Sequence, residues 1–321
     1  MMRFSGMIRA VGGILRIHCL VHLLVTVLVI TTGCAPLESP EIAPFDGQRA
    51  YDEVDALVRI HPRDAGTAGA RQAAEHILQR LQEFGVDARI DTFADETPEG
   101  TKTFHNVTGR IPGKNGRWII LGSHFDTMPG IPNFQGANDG GSSTGILLEM
   151  ARLLSIAKPG TGIILAFFDG EEGIAHYIPG DGLHGSRHMA AQLFDTGEYR
   201  QVDAMILLDM VGDRDLHFVL PTNSSQPLAR ALLDAARATG YRDRFSLSQS
   251  FSVTDDHVPF LQIGIPAIDL IDFKYGSEPG LNDYWHTELD RMENISAESL
   301  GITGTVVLEM VKKLVFEPNR D

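Results

Sequence analysis

The chain has 321 residues, of which 43% are hydrophobic, 21% charged and 7% aromatic. That balance excludes a disordered chain, a collagen and a multi-span membrane protein, and it supplies enough apolar material for one large core or two small ones. Asp plus Glu outnumber Lys plus Arg by 42 to 27, and the resulting formal charge of −15 excludes nucleic acid as the main partner, because a phosphate backbone needs a basic footprint.

Arg3, Arg9 and Arg16 are the only charged side chains before position 38, and an apolar run, Leu20 to Ile30, follows them. A basic start, a short apolar stretch and small residues before a cut describe a secretory signal over residues 1–33. The Gly33-Cys34 junction resembles a bacterial lipoprotein cleavage site, which implies lipid on Cys34 and anchoring of an exported protein in the periplasm or on the outer face of a membrane. The other reading of the run is an uncleaved N-terminal anchor. Cys19 and Cys34 are the only cysteines, so the folded part has neither disulfide nor free thiol once the signal is gone and Cys34 is lipidated. Loss of three arginines with the signal moves the formal charge from −15 to −18. Residues 34–45 contain three prolines and no periodicity and read as a tether.

From residue 46 to 321 the pattern is that of one alternating α/β domain. Ile77, Leu78, Leu81 and Phe84 recur at helical spacing and Gly85 ends that helix. Strand-like runs follow at Ala88–Phe93, Phe104–Ile111 and Trp118–Leu121. Ile146, Leu147, Met150, Leu153 and Leu154 mark a buried helix face. Gly162–Phe168 is an unbroken apolar run of strand length, as expected of a strand covered on both faces. Gly185–Phe194 predicts a helix, Ala204–Leu208 a buried strand, Pro227–Thr239 a helix and Ile265–Ile271 a late strand. Leu300, Val307, Met310, Val311 and Leu314 give a closing helix with Ser296 as its N-cap. Strands alternating with helices predict a central, mostly parallel twisted sheet with helices on both faces, and ligands in such sheets bind at the carboxyl ends of the strands.

Those ends carry unusual residues. Trp118–Leu121 runs into His124-Phe-Asp126, Gly162–Phe168 into Asp169-Gly-Glu171-Glu172, and Ala204–Leu208 into Asp209. A Gly-rich loop between them holds Asp139, and Trp285-His286-Thr287 stands near the C-terminus. Singly each has an ordinary explanation: a core histidine, a helix cap, a solvated turn. Gathered at one rim they are costly unless a cation or a hydrogen-bond network compensates, and mixed imidazole and carboxylate donors suit zinc. In His124-x-Asp126 the two side chains share a face of an extended segment, so Asp126 could accept the second imidazole N–H. Adjacent Glu171 and Glu172 point apart, which lets one ligate while the other moves protons.

Gly141-Ser142-Ser143-Thr144-Gly145 matches the G-x-S-x-G nucleophile elbow. The elbow requires a buried strand immediately before it, whereas Asn133–Gly140 is polar and Gly-rich. Ser142 and Ser143 therefore read as helix-start residues. No phosphate-loop or dinucleotide fingerprint is present. Three Asn-x-Ser/Thr sequons, at Asn106, Asn223 and Asn294, read as chance beside a bacterial-type signal.

The motifs HFD, GANDGG, FFDGEEG, LLDMVG, DDHVPF and WHT, in that order from residue 124 to 287, resemble the zinc aminopeptidase and glutaminyl cyclase superfamily. The resemblance covers residue 50 to the C-terminus and implies a zinc exopeptidase-like fold. It also implies a two-zinc ligand set of His124, Asp139, Glu172, Asp209 and His286, with Asp139 bridging, and Glu171 as general base. Aminopeptidases of this superfamily activate water between two zincs. Its cyclases use one zinc, on the counterparts of Asp139, Glu172 and His286, and turn N-terminal glutamine into pyroglutamate with loss of ammonia. The long link between the Glu pair and Gly185-Ser186-Arg187, the segment DDHVPFLQIGIPAIDLI and Trp285 before His286 are cyclase-like. The resemblance then implies peptide N-termini as substrate, Asp209 and Asp255 as hydrogen-bond partners of Glu171, and Trp285, Tyr177 and Phe273 as pocket walls. Animal cyclases usually have Trp at the place of Tyr177 and His at that of Asp269. Intact His124 and Asp209 keep a di-zinc aminopeptidase open as the alternative. A catalytically dead binding module is disfavoured, since no catalytic position is replaced.

Overall fold

The computed structural model describes residues 42–175 and 180–316; residues 1–33, read above as a signal, Cys34, most of the segment read as a tether, and Tyr177 lie outside them. Chain order runs α1 (Gly47–Val58), α2 (Ala68–Glu83), β1 (Asp87–Thr97), β2 (Gly100–Ile111), β3 (Trp118–His124), α3 (Ser143–Leu154), β4 (Gly162–Phe168), α4 (His184–Thr196) and β5 (Val202–Asp209). It continues through β6 (Phe218–Leu220), α5 (Gln226–Ala238), β7 (Phe245–Leu247), α6 (Val258–Gln262), β8 (Ala267–Ile271) and α7 (Ala297–Phe316). Among the described residues no helix is long and apolar enough to cross a membrane.

Six strands form one sheet in the order β1-β2-β4-β3-β5-β8. The four strands β4, β3, β5 and β8 are parallel, and the β1–β2 hairpin is added antiparallel along β4. Alternation along the central strands sorts their side chains to the two faces. Ile163, Leu165 and Phe167 of β4, with Ala204, Ile206 and Leu208 of β5, join a large core beneath α1, α2, α3, α5 and α7. Ile164, Ala166 and Phe168, with Met205 and Leu207, face a smaller core shared with α4 and α6. Burial on both sides is why these strands read as unbroken apolar runs.

Three features lay outside the sequence reading. Helix α1 precedes the first predicted one; Asp46 caps it by accepting the Gln48 and Arg49 amides at 3.0 and 3.2 Å. Strand β3 extends to His124, so the histidine ends the strand itself. Strands β6 and β7 form a separate two-stranded parallel pair beside the sheet. Ser296 does stand before α7, with Oγ accepting the Ser299 amide at 3.0 Å.

Candidate metal centre

Four parallel strands end at one rim, and three of them deliver His124, the Glu171–Glu172 turn and Asp209 there. A tight turn over Ala137–Ser142, leading from the β3 loop into α3, adds Asp139. Gly136 (φ 55°) and Gly140 (φ 75°) give that turn its left-handed corners, and a Cβ on Gly140 would lie 3.0 Å from both the Asp126 carbonyl oxygen and His124 Cε1. His286 arrives from the loop before α7 with φ of 54°, and Met210, just after Asp209, has φ of 48°. Left-handed backbone at bulky residues is strained and persists where surrounding structure over-determines it.

The side chains converge in two sets that share Asp139. His124 Nε2 lies 3.1 Å from Asp139 Oδ1 and 3.1 Å from Asp209 Oδ1. His286 Nε2 lies 3.1 Å from Glu172 Oε1 and 3.3 Å from Asp139 Oδ2. Tetrahedral zinc with bonds of about 2.0–2.1 Å sets neighbouring donor atoms roughly 3.3 Å apart. Both sets match in spacing and in donor chemistry, and Asp139 Oδ2, though buried, receives no hydrogen bond. The residues therefore fit zinc.

Electrostatics point the same way. Burial alone would lower the His286 imidazole, yet the carboxylates of Asp139 and Glu172 outweigh it and raise it to about 10. Burial, then the charge on Asp139, pushes Glu172 up to about 8. Burial and then Glu172 raise Glu171 well above the carboxylate range. So many buried acids around two imidazoles hold protons in place of a cation, and metal binding would release them.

Asp126 is fully buried, but its geometry differs from the expected imidazole bond. His124 Nδ1 is 3.5 Å from Asp126 Oδ1 and makes no hydrogen bond, while the two Asp126 oxygens accept the backbone amides of Glu171 and Glu172 at 3.1 and 3.2 Å. Asp126 thus orients the Glu pair through its backbone.

A cavity of about 680 Å³ opens beside these residues. Asp139, Glu171, Glu172, Asp209, Asp255 and His286 form its acidic end; Met128, Met210, Phe251, Val253, Ile271, Phe273 and Trp285 supply apolar walls. Trp285 stacks on His286 at 4.0 Å and meets Phe273 edge-on at 5.8 Å. Ser143, at the start of α3, is fully buried and accepts a 2.7 Å hydrogen bond from Ser123 Oγ, which leaves no exposed nucleophile in the G-x-S-x-G stretch.

A third buried group, Asp255, His257 and Asp269, has donor atoms within 4.8 Å of one another. Asn223 exchanges two bonds with the Val253 backbone, which fixes its amide, and its Nδ2 donates to His257 Nε2 at 2.8 Å. The neutral ring then carries its proton on Nδ1, facing Asp269 Oδ2 at 3.9 Å. An Nδ1–H does not ligate metal, so with this tautomer His257 is not a donor to an ion at this group.

Several supporting residues escaped the sequence reading. Arg63, fully buried, donates to the carbonyl oxygens of Phe125, Gln135 and Gly136 at 2.8, 2.8 and 3.0 Å and so pins the turn that carries Asp139. Asn138 Oδ1 accepts the Gly212 amide at 2.8 Å, joining that turn to the end of β5. Only the match of buried donors to distant carbonyls reveals such roles, and a linear sequence does not display it.

The profile of peptidase family M28 matches residues 106–311. A glutaminyl-peptide cyclotransferase of Bos taurus is 30% identical over 282 residues, 76% of this chain and 75% of its own length. Among solved structures, a glutaminyl cyclase of an Acidobacteriales bacterium superposes with a TM-score of 0.78 at 36% identity, covering 84% of this chain and 94% of that one. A Zn-dependent exopeptidase of Parabacteroides distasonis superposes with a TM-score of 0.75 at 30% identity, covering 84% and 99%. The match to the family profile spans all three ligand-bearing strand ends, the shared Asp139 and His286, and with it the chain belongs to peptidase family M28.

Proposed function

We propose that this protein is a zinc-dependent glutaminyl-peptide cyclotransferase that converts N-terminal glutamine of peptides to pyroglutamate and releases ammonia. The observation that carries the reading is the convergence of Asp139, Glu172 and His286 on the wall of an apolar cavity that also exposes Glu171. Relatives named as glutaminyl cyclases support it. Asp139, Glu172 and His286 would hold the zinc, which when bound would supply Lewis acidity toward the substrate γ-carbonyl. Glu171, kept basic enough by burial and by Glu172, takes a proton from the attacking α-amine and returns it to the departing ammonia. Trp285 and Phe273 wall the glutamine side chain so that amine and carbonyl stay near attack distance. Asp209 and Asp255, which line the same end of the cavity and whose carboxyls burial pushes up, serve as hydrogen-bond partners of Glu171 and of the nitrogen of the tetrahedral intermediate.

A di-zinc aminopeptidase is the second reading, and one observation favours it. Asp139 turns one oxygen to each histidine, and Asp209 and Glu172 complete two separate donor sets. Incubating the metal-loaded protein with Gln-Phe-Ala separates the two. Ammonia without free glutamine, at one zinc per chain, supports the cyclase; free glutamine, at two zincs per chain, supports the peptidase. We further propose export with a lipid on Cys34. A labelled fatty acid should then be incorporated into the wild type and not into Cys34→Ala, and a wild type that takes up no label refutes the anchor.

A further inference from the structure

Asp290 stands four residues after His286 in the same loop and is fully buried. Its Oδ1 accepts the Asn138 amide at 2.7 Å and the Tyr275 hydroxyl at 3.0 Å, and its Oδ2 accepts the Asp139 amide at 3.0 Å. One carboxylate therefore grips consecutive backbone amides at the centre of the other metal-bearing turn. Orphaned amides can be satisfied by a neutral carbonyl or by water. A buried carboxylate is a more expensive acceptor unless cations compensate it. One such cation is Arg63, also buried, but it does not remove the cost: burial and then the charge on Asp139 still push the Asp290 carboxyl up to about 7. The second would be the ion that Asp139 helps to hold.

We propose that Asp290 is a positioning residue of the metal centre. It fixes the direction of the carboxylate shared by both donor sets by gripping the Asp139 backbone, and it locks that turn to the loop that presents His286. This rests on the metal-centre reading of Asp139, Glu172 and His286, and extends it to a residue that touches neither metal nor substrate. Supporting residues of this kind typically change metal affinity by about 10–100-fold when altered. In Asp290→Asn one amide donor of the new side chain must face a backbone N–H, so one of the two bonds to the turn is lost.

The test compares the full chain as wild type, Asp290→Asn and Tyr275→Phe, each stripped of metal. Zinc affinity is measured by competition with a chromophoric chelator, and the visible bands are recorded at saturating cobalt(II). The expected result is a loss of zinc affinity of about 10–100-fold in Asp290→Asn with displaced cobalt bands. Tyr275→Phe, which removes one of the two hydrogen bonds to Asp290 Oδ1 without removing the charge, should shift both in the same direction by less. Asp290→Asn that binds zinc within twofold of wild type, or whose cobalt bands overlay those of wild type, overturns the proposal. Should Asp290→Asn fail to fold, unchanged affinity and bands in Tyr275→Phe overturn it. A wild type that takes up no zinc is a separate result: it removes the metal-centre reading, and the proposal with it.

Discussion

At the scale of single residues the site assigns distinct work to neighbours of like chemistry. Glu171 and Glu172 are adjacent and both line the cavity, yet it is Glu172 whose carboxylate lies against His286. Glu171→Gln should therefore lower turnover by about 10²–10⁴-fold while zinc content stays at the wild-type level. Retained turnover in a steady-state assay would exclude Glu171 as the base. His257 makes a second, independent case. Burial holds its imidazole down at about 4, below the ordinary 6.5. As pH falls, the unfolded chain takes the proton first, so the stability contributed by the neutral ring is complete above pH 6.5 and is lost as pH drops through 4. A gap of that size is worth roughly 3 kcal/mol. In chelated protein, so that zinc release does not intervene, the thermal midpoint of wild type should fall across that window more steeply than that of His257→Gln. Parallel curves would dismiss the argument. The charged residues of the site were legible because their types are improbable together at strand ends. Arg63 and Asp290 were not, since a buried Arg or Asp is recognised by which distant carbonyls and amides it meets.

Elements were legible where period decided them. Gly162–Phe168 came out residue for residue, because a strand buried on both faces admits almost only apolar side chains. Helix α1 was passed over: its buried residues Ala50, Val54, Leu57 and Val58 have helical spacing, but they are diluted by polar neighbours in a stretch that follows a proline-rich tether. The Ala137–Ser142 turn carries no period at all, and its conformation is dictated by what crowds it. Gly140→Ala would both enforce a left-handed residue and press a methyl against the Asp126 backbone and the His124 ring. Gly240 also has positive φ, 85°, but open space around it. Strain alone, about 1–3 kcal/mol, should appear in Gly240→Ala. Gly140→Ala should exceed it in thermal melts and, unlike Gly240→Ala, should weaken zinc binding. Equal melting temperatures and equal zinc affinities in the two variants would show that the turn is not tightly fitted to the site.

Over the whole molecule, the sheet topology explains why residues so far apart in the chain meet. Strand order β4-β3-β5 is not sequence order, so His124, Glu172 and Asp209 become neighbours only once crossovers through α3 and α4 have wound the sheet. The parallel core could be anticipated from alternating strands and helices. The antiparallel β1–β2 hairpin was missed because its strands were read short, at Ala88–Phe93 and Phe104–Ile111, which hid the two-residue turn between Thr97 and Gly100 that obliges antiparallel pairing; β6 and β7, three residues each, are too short to show a period. Zinc, by contacting Asp139 before α3, Glu172 after β4 and His286 before α7, would cross-link segments that the backbone joins only through long paths. Binding to the folded chain alone stabilises it by RT ln(1 + [L]/Kd), about 4 kcal/mol at a thousandfold excess over Kd. For a domain of this size each kcal/mol shifts the midpoint by roughly 2–4 °C. Chelation should thus lower the melting temperature by about 10 °C, and added zinc should restore it. Calcium should not, since it takes six to eight oxygen ligands and each donor set here contains an imidazole. A melting temperature indifferent to both chelator and zinc would mean that the buried acids and imidazoles at the sheet rim are held by shared protons alone.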